Sequence, residues 1–410
     1  MAPGVGLVRG VVTENAAGNC RLAFIGNDGD LYEVLDRQEP RRLTCGWEED
    51  SDRLYYVWPS YSPDGSQVAC FGVRASEDAC TEAALYTVSR DGVSMQELWR
   101  SHEASPVCES WSPCSKQIAL LFEAEQDGLR LDLASLERPG ESLALDRGSP
   151  LFWAWSPADP FIAVHSGGSR SLSEEARLSV YRVAGGVEEV ARLTPGEFRV
   201  PAWSPDGRRI AYVDASGGDT EYLALYRLDD GRSEIVCELE GHTVMLWSPD
   251  GRMLATSQAV GDSPHVFTGV TLIDVLSGET RVVKDSKLVS FFWAPTSNRL
   301  VSMSVEDDRG MEVSVFDLHG QTQDLSLRFF PTRELVYFCQ FFDQFASSHP
   351  LISADGTSLV IAGHVADTGA AAVEGESVVY LASLIDGSPV ERVAPGYFGC
   401  WDARVRENGS

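Results

Sequence analysis

The sequence predicts an all-β propeller, and three observations predict it. A Trp-Ser-Pro-Asp-Gly motif recurs seven times, a short apolar strand follows each copy, and the stretches between copies hold further alternating strands divided by turn residues. Four strands at a period of this length make one blade of a propeller.

The copies are Tyr61-Ser-Pro-Asp-Gly, Trp111-Ser-Pro-Cys-Ser, Trp155-Ser-Pro-Ala-Asp, Trp203-Ser-Pro-Asp-Gly, Trp247-Ser-Pro-Asp-Gly, Trp293-Ala-Pro-Thr-Ser and Ile352-Ser-Ala-Asp-Gly, at steps of 50, 44, 48, 44, 46 and 59 residues. Proline presets φ for the second turn position, Asp suits the third, and Gly accepts the left-handed conformation that returns the chain. The aromatic residue ahead of the turn closes the innermost strand. Placed between blades, a Trp there buries about 150–250 Å², an upper estimate of about 4–6 kcal/mol. The functional alternative for Trp111, Trp155, Trp203, Trp247, Trp293 and Trp401 is a sugar-stacking platform.

Second strands are expected to begin at Gln67, Gln117, Phe161, Arg209, Met253, Arg299 and Ser358, third strands near Arg177, Tyr222 and Glu312, and a fourth strand near Val190. The ends decide the blade count. Tyr397-Phe-Gly-Cys-Trp401 reads as an eighth inner strand with nothing after it, while Arg21-Leu-Ala-Phe-Ile-Gly, Leu31-Tyr-Glu-Val-Leu and Arg41-Arg-Leu-Thr supply the missing three. Eight blades closed by this join are expected, which removes the exposed sheet edges. Seven is the count if one degenerate repeat is not a blade. Residues 1–19 are expected to be an N-terminal extension and residues 20–410 a single propeller domain.

The repeated W-S-P-D-G-x-x-(I/L)-A pattern resembles the WD-like propeller repeats of the TolB type, also seen in the propeller domains of prolyl oligopeptidase relatives. The resemblance spans roughly residues 20–401. It implies the fold strongly and the function weakly, since such propellers serve as scaffolds, gates and enzymes. Four of the seven copies depart from the Pro-Asp-Gly core, most visibly at Trp111 and Trp293.

Composition narrows the function. Sixty-one acidic residues against 33 basic ones give 410 residues a net charge of −28. Such a field repels nucleic acid and attracts basic protein surfaces. No uncharged apolar run reaches the roughly 18–20 residues of a spanning helix, so membrane insertion is not expected. Nine cysteines without a C-x-x-C pair point to reduced thiols. With an N-terminal stretch unlike a secretory signal, they point to the cytoplasm.

No G-x-S-x-G, G-x-x-x-x-G-K, H-E-x-x-H or calcium-loop pattern is present. The histidines carry a positional pattern instead. His102 and His242 fall in loops from a fourth to a first strand, and His165, His265 and His364 in loops from a second to a third. His349 opens the inner strand of blade seven, and only His319 maps to the other face. Convergence of His349, His242 and His364 at the channel mouth would make an acid–base or divalent-metal site; scattered loop histidines are the plain alternative, and no cofactor is expected.

Blade seven is stretched by two insertions. Residues 329–350 carry Phe329, Phe330, Tyr337, Phe338, Phe341, Phe342 and Phe345, and residues 363–377 form the second insertion on the same face. Phe341, Phe342, Gln344, Phe345 and His349 are the candidate docking surface or lid, with a local mini-core as the alternative. Gln344 and His349 ahead of Ser-Ala-Asp-Gly also resemble the histidine-bearing inner strand of oligogalacturonate lyases, which implies a metal-dependent lyase. The acidic run Trp47-Glu-Glu-Asp-Ser-Asp could attract a cation or a basic partner, or be a solvated turn. The leading expectation is a non-catalytic scaffold or subunit of a larger complex that binds a protein partner, of basic character; the alternative is a lyase or hydrolase, metal-dependent or not, with its site at the channel mouth around His349.

Overall fold

Every apolar run that follows a motif copy is a strand starting at the residue the sequence marks: Gln67–Ser76, Gln117–Ala124, Phe161–Ser166, Arg209–Asp214, Met253–Val260, Arg299–Val305 and Ser358–Val365. The structure is a computed structural model. It describes residues 20–404 apart from 46–53, 77–78, 125–127, 159, 169–174, 197–198, 216–219, 240–241, 262, 285, 296–298, 306–309, 319–321, 366–374 and 387. The acidic run at Trp47, His319, residues 1–19 and most of the second blade-seven insertion lie outside the described residues.

The motif turn repeats its geometry in the copies whose turns are fully described. In the first copy the Gln67 N–H donates to Ser62 Oγ at 3.0 Å and the Ser66 N–H to Asp64 Oδ1 at 2.9 Å. Gly65 then takes a φ of 56°. The same serine bond recurs from Arg209 to Ser204, Met253 to Ser248 and Ser358 to Ser353. In the Trp111 copy the turn survives without glycine: Ser115 itself stands at φ 60°, and its Oγ accepts the Asp64 N–H of the neighbouring copy at 3.0 Å.

The tryptophans join blades. Each indole N–H donates to the inner strand of the preceding blade, always to the residue before its aromatic: Trp111 to Ser60 O at 3.3 Å, Trp155 to Ser110 O at 3.2 Å, Trp203 to Ala154 O at 3.0 Å, Trp247 to Ala202 O at 2.9 Å and Trp293 to Leu246 O at 3.1 Å. Trp401 departs from the rule, its buried Nε1 having no partner.

Antiparallel four-strand sheets follow one another along the chain. Leu54–Tyr61 opens blade one, Ala104–Trp111 blade two, Leu151–Trp155 blade three, Ala202–Trp203 blade four, Thr243–Trp247 blade five and Ser290–Trp293 blade six. Blade seven holds Ser358–Val365, Val378–Ser383 and the first half of Glu391–Trp401. Its expected inner strand is reduced to a single bridge, Ile352 to Leu359, a correction explained below. The second half of Glu391–Trp401 pairs with Arg21–Gly26, aligning Leu22 with Trp401 and Phe24 with Gly399. Leu31–Leu35 and Arg41–Arg42 complete this last group. The C-terminal strand therefore closes on the N-terminal ones, as expected.

Candidate functional site

The connection from blade six to blade seven builds the molecule's most unusual feature. Thr332 caps a helix: its Oγ1 accepts the Leu335 N–H at 3.3 Å and donates to Tyr397 O at 2.7 Å, tying the helix start to blade eight. Helix α1, Arg333–Gln340, buries Leu335, Phe338 and Cys339 at i, i+3 and i+4 spacing, and the single turn α2, Phe342–Phe345, follows. Its aromatics meet inner-strand residues from several sides. Phe345 stacks on Trp58 of blade one at 5.0 Å, Phe338 meets Phe398 of blade eight, and Phe342 meets Phe291 and Phe292 of blade six. Residues from blades around the ring converge on this segment, so it lies on their shared axis and plugs the channel.

Gln344 fixes the plug to blade three. Its side-chain amide accepts the Trp153 N–H at 3.2 Å and donates to the Trp153 carbonyl at 2.9 Å, in the manner of one residue of an added strand. The chain then leaves the channel at His349 and Pro350 and reaches blade seven already near its turn, so only Ile352 makes the inner-strand bridge.

This corrects the expectation of an exposed aromatic docking surface. Phe342, Phe345, Gln344 and His349 are buried and Phe341 is half-buried, because the channel's apolar wall offers them more contact than solvent does. The mini-core alternative is closer to what the structure shows, though this core is the centre of the propeller.

Against the plug lies a buried polar group that sequence reading missed. Ser60 Oγ donates to Glu109 Oε1 at 2.6 Å, and His349 Nε2 stands 3.8 Å from the same oxygen. Burial pushes the Glu109 carboxyl up to about 8, against the lowering effect of the Ser60 hydrogen bond. Burial pushes His349 down to about 3 despite a backbone hydrogen bond to Trp58. Both are therefore neutral at neutral pH, and Glu109 Oε2 and His349 Nε2 have no partner. Trp58 covers them at a φ of 53°, a left-handed conformation costly for a large side chain; it is held by rings of Tyr337, Phe345, His349 and Phe398. A lone acid in the strand Val107-Cys-Glu-Ser-Trp was the available signal for Glu109, and Pro331-Thr332 ahead of an i, i+3, i+4 apolar pattern was the signal for the helix.

The other described histidines do not join His349. His364 lies opposite Phe330 where the last strand of blade six runs on beside blade seven, and His242 sits at the start of the blade-five inner strand, its carbonyl accepting the Ala259 N–H. His265 Nδ1 bonds Gln340 O at 2.9 Å, and His102 is exposed. Among the described residues no three His, Cys, Asp or Glu side chains are grouped to hold a metal ion. No described helix is long and apolar enough to cross a membrane, and none of the nine cysteines pairs with another.

What remains open on the face that bears the plug's helix is a hollow of about 370 Å³. Val57, Trp58, Pro106, Val107, Tyr337 and Phe398 form its apolar lining, with Glu123, Arg333 and Glu334 at its edge.

The sequence matches no protein-family model and no curated protein. Solved structures do match. The dihydro-heme d1 dehydrogenase NirN in complex with DHE superposes with a TM-score of 0.59 at 14% identity, covering 95% of this chain and 77% of that one. A eukaryotic initiation factor superposes at 0.53 and 11% identity, covering 94% and 99%. A TolB from Agrobacterium tumefaciens matches at 0.38 and 19% identity over 58% and 85%. These likenesses bear out the all-β propeller fold. At these identities the likeness speaks for the fold alone; the chemistry of this propeller has to be argued from its own residues.

Proposed function

We propose that this propeller is a non-catalytic, cytoplasmic interaction scaffold for a protein partner of basic character. The observation that supports the reading is the plug. The residues a channel-mouth lyase or hydrolase would use, His349 with Glu109, are sealed beneath Trp58 and Phe345, where no substrate reaches them. A charge of −28 favours a basic partner, and the hollow beside Trp58 and Tyr337 offers an apolar anchor point with acidic side chains at its edge. Native mass measurement of the protein purified from its source cells is expected to show a stoichiometric complex. Val107→Arg combined with Glu123→Arg, which adds positive charge at that hollow, is expected to reduce recovery of the identified partner at least tenfold at unchanged Tm. A free monomer, or a partner fully retained by the double variant, overturns the reading.

A further inference from the structure

A second hollow lies on the other side of the plug. Its volume is about 360 Å³, and its walls are the turn-proximal ends of the inner strands of blades three to six, including Trp155, Trp203, Trp247 and Trp293. The plug contributes Asp343 and Ser347. The plug thus turns a through-channel into a blind pocket open on the face opposite the helix.

The chemistry of this pocket is specific. All four indole N–H groups are engaged by neighbouring carbonyls, so the walls present rings rather than donors. No Lys or Arg lines the pocket. Asp343 is its one acid, and burial raises its carboxyl pKa against the lowering influence of Arg199, of the backbone N–H groups of Asp343 and Gln344, and of His265. Asp343 lines the same space as the four tryptophans, so a cation entering it meets an acidic side chain and aromatic rings together. The molecule already shows that one of these rings takes a cation: the Arg209 guanidinium sits 5.1 Å from the centroid of the Trp247 ring. Beside the mouth, the turns after Trp203 and Trp247 carry Asp206 and Asp250. Burial raises Asp206, but its bonds from Ser204 and the Arg208 amide outweigh that; for Asp250 the Ser248 hydroxyl bond leads. Both carboxyls lie below the usual range and stay ionised.

We propose that this pocket receives an arginine or lysine side chain from a basic peptide segment of a partner protein, the indoles contacting its stem and cationic head and Asp343 its charge. The inference rests on the scaffold reading for the protein nature of the partner, and deepens it: two hollows on opposite faces of one plug let the propeller hold partners at both ends.

The test is fluorescence anisotropy with a fluorescein-labelled Gly-Gly-Arg-Gly-Gly peptide and its citrulline counterpart, which keeps the shape and removes the charge. The arginine peptide is expected to bind saturably, at least tenfold more tightly than the citrulline peptide, and to weaken with salt. Asp343→Asn, near-isosteric, and Ser347→Arg, which fills the pocket with a cation, are each expected to weaken binding at least tenfold at unchanged Tm. Absence of saturable binding, equal affinity for both peptides, or full binding by Ser347→Arg overturns the inference. A native partner complex indifferent to Ser347→Arg would sink the pocket and leave the scaffold standing; peptide binding without any partner complex would do the reverse.

Discussion

Glu109 and His349 face one another out of reach of solvent, and burial drives both to their neutral forms by shifting them in opposite directions. The folded-state pKa of Glu109 lies above its ordinary value of 4.5, so its contribution to stability is complete below that value and is lost as pH rises through about 8. His349 lies below its ordinary 6.5, so its contribution is complete above that value and is lost as pH falls through about 3. Between the two ordinary values one group gains what the other loses, and stability is flat. Above pH 6.5 only the loss from Glu109 continues, at about 1.4 kcal/mol per pH unit. Glu109→Gln keeps an acceptor for Ser60 and cannot ionise. Its stability is expected to exceed the wild-type trend by about 2 kcal/mol between pH 6.5 and 8. Parallel urea-denaturation profiles over that range would refute the pairing.

At the scale of elements, the repeat turn shows how one position can serve two needs. Ser115 accepts left-handed strain where other copies use glycine, and in return its hydroxyl holds the Asp64 amide of the preceding blade. Ser115→Gly and Ser115→Ala both remove that acceptor, but only alanine keeps the strain. The glycine variant is therefore expected to be more stable than the alanine variant by about 1 kcal/mol in denaturant unfolding; the reverse order would show that the hydroxyl is not what selects the residue. The strands were legible from the sequence for the reason this turn is: Ser, Pro, Asp and Gly act locally, so Gln67, Arg209 and Ser358 could be marked as strand starts without knowing the fold. The indole contacts were legible too, because the period itself implies a neighbour. The plug was not. Phe342 and Phe345 are buried by residues from blades far apart in sequence, and the segment's loop position argued for exposure. Gln344 reads as a surface polar residue until Trp153, 191 positions away, is seen to complete it.

At the scale of the whole molecule, closure of the ring rests on a charged latch as well as on strand pairing. Arg21, at the start of the first strand of the described chain and 2% exposed, donates to Asp402 from Nε at 3.1 Å and from a terminal nitrogen at 2.6 Å, to Glu33 at 3.4 Å and to Gly65 O at 2.7 Å. Its guanidinium lies over the Tyr61 ring. It occupies the position Arg209 holds in blade four, where the same side chain stacks on the next blade's aromatic, so the latch is the repeat's own contact strengthened by two acids. Arg41 also binds Glu33, and Arg404 binds Asp402, yet both are partly exposed and neither replaces a buried partner. Arg21→Met, which keeps length and removes charge, is expected to cost about 3–5 kcal/mol because Asp402 and Glu33 stay buried. Adding Asp402→Asn should recover part of that loss, since one uncompensated charge is then gone. A circular permutant opened within residues 46–53 and joined from residue 404 to residue 20 places all strands of the closing blade in one run. If the latch works through buried charge rather than through chain order, Arg21→Met costs the same in the permutant as in the natural order. A cost that vanishes on permutation would mean that Arg21 serves only to bring distant ends of the chain together.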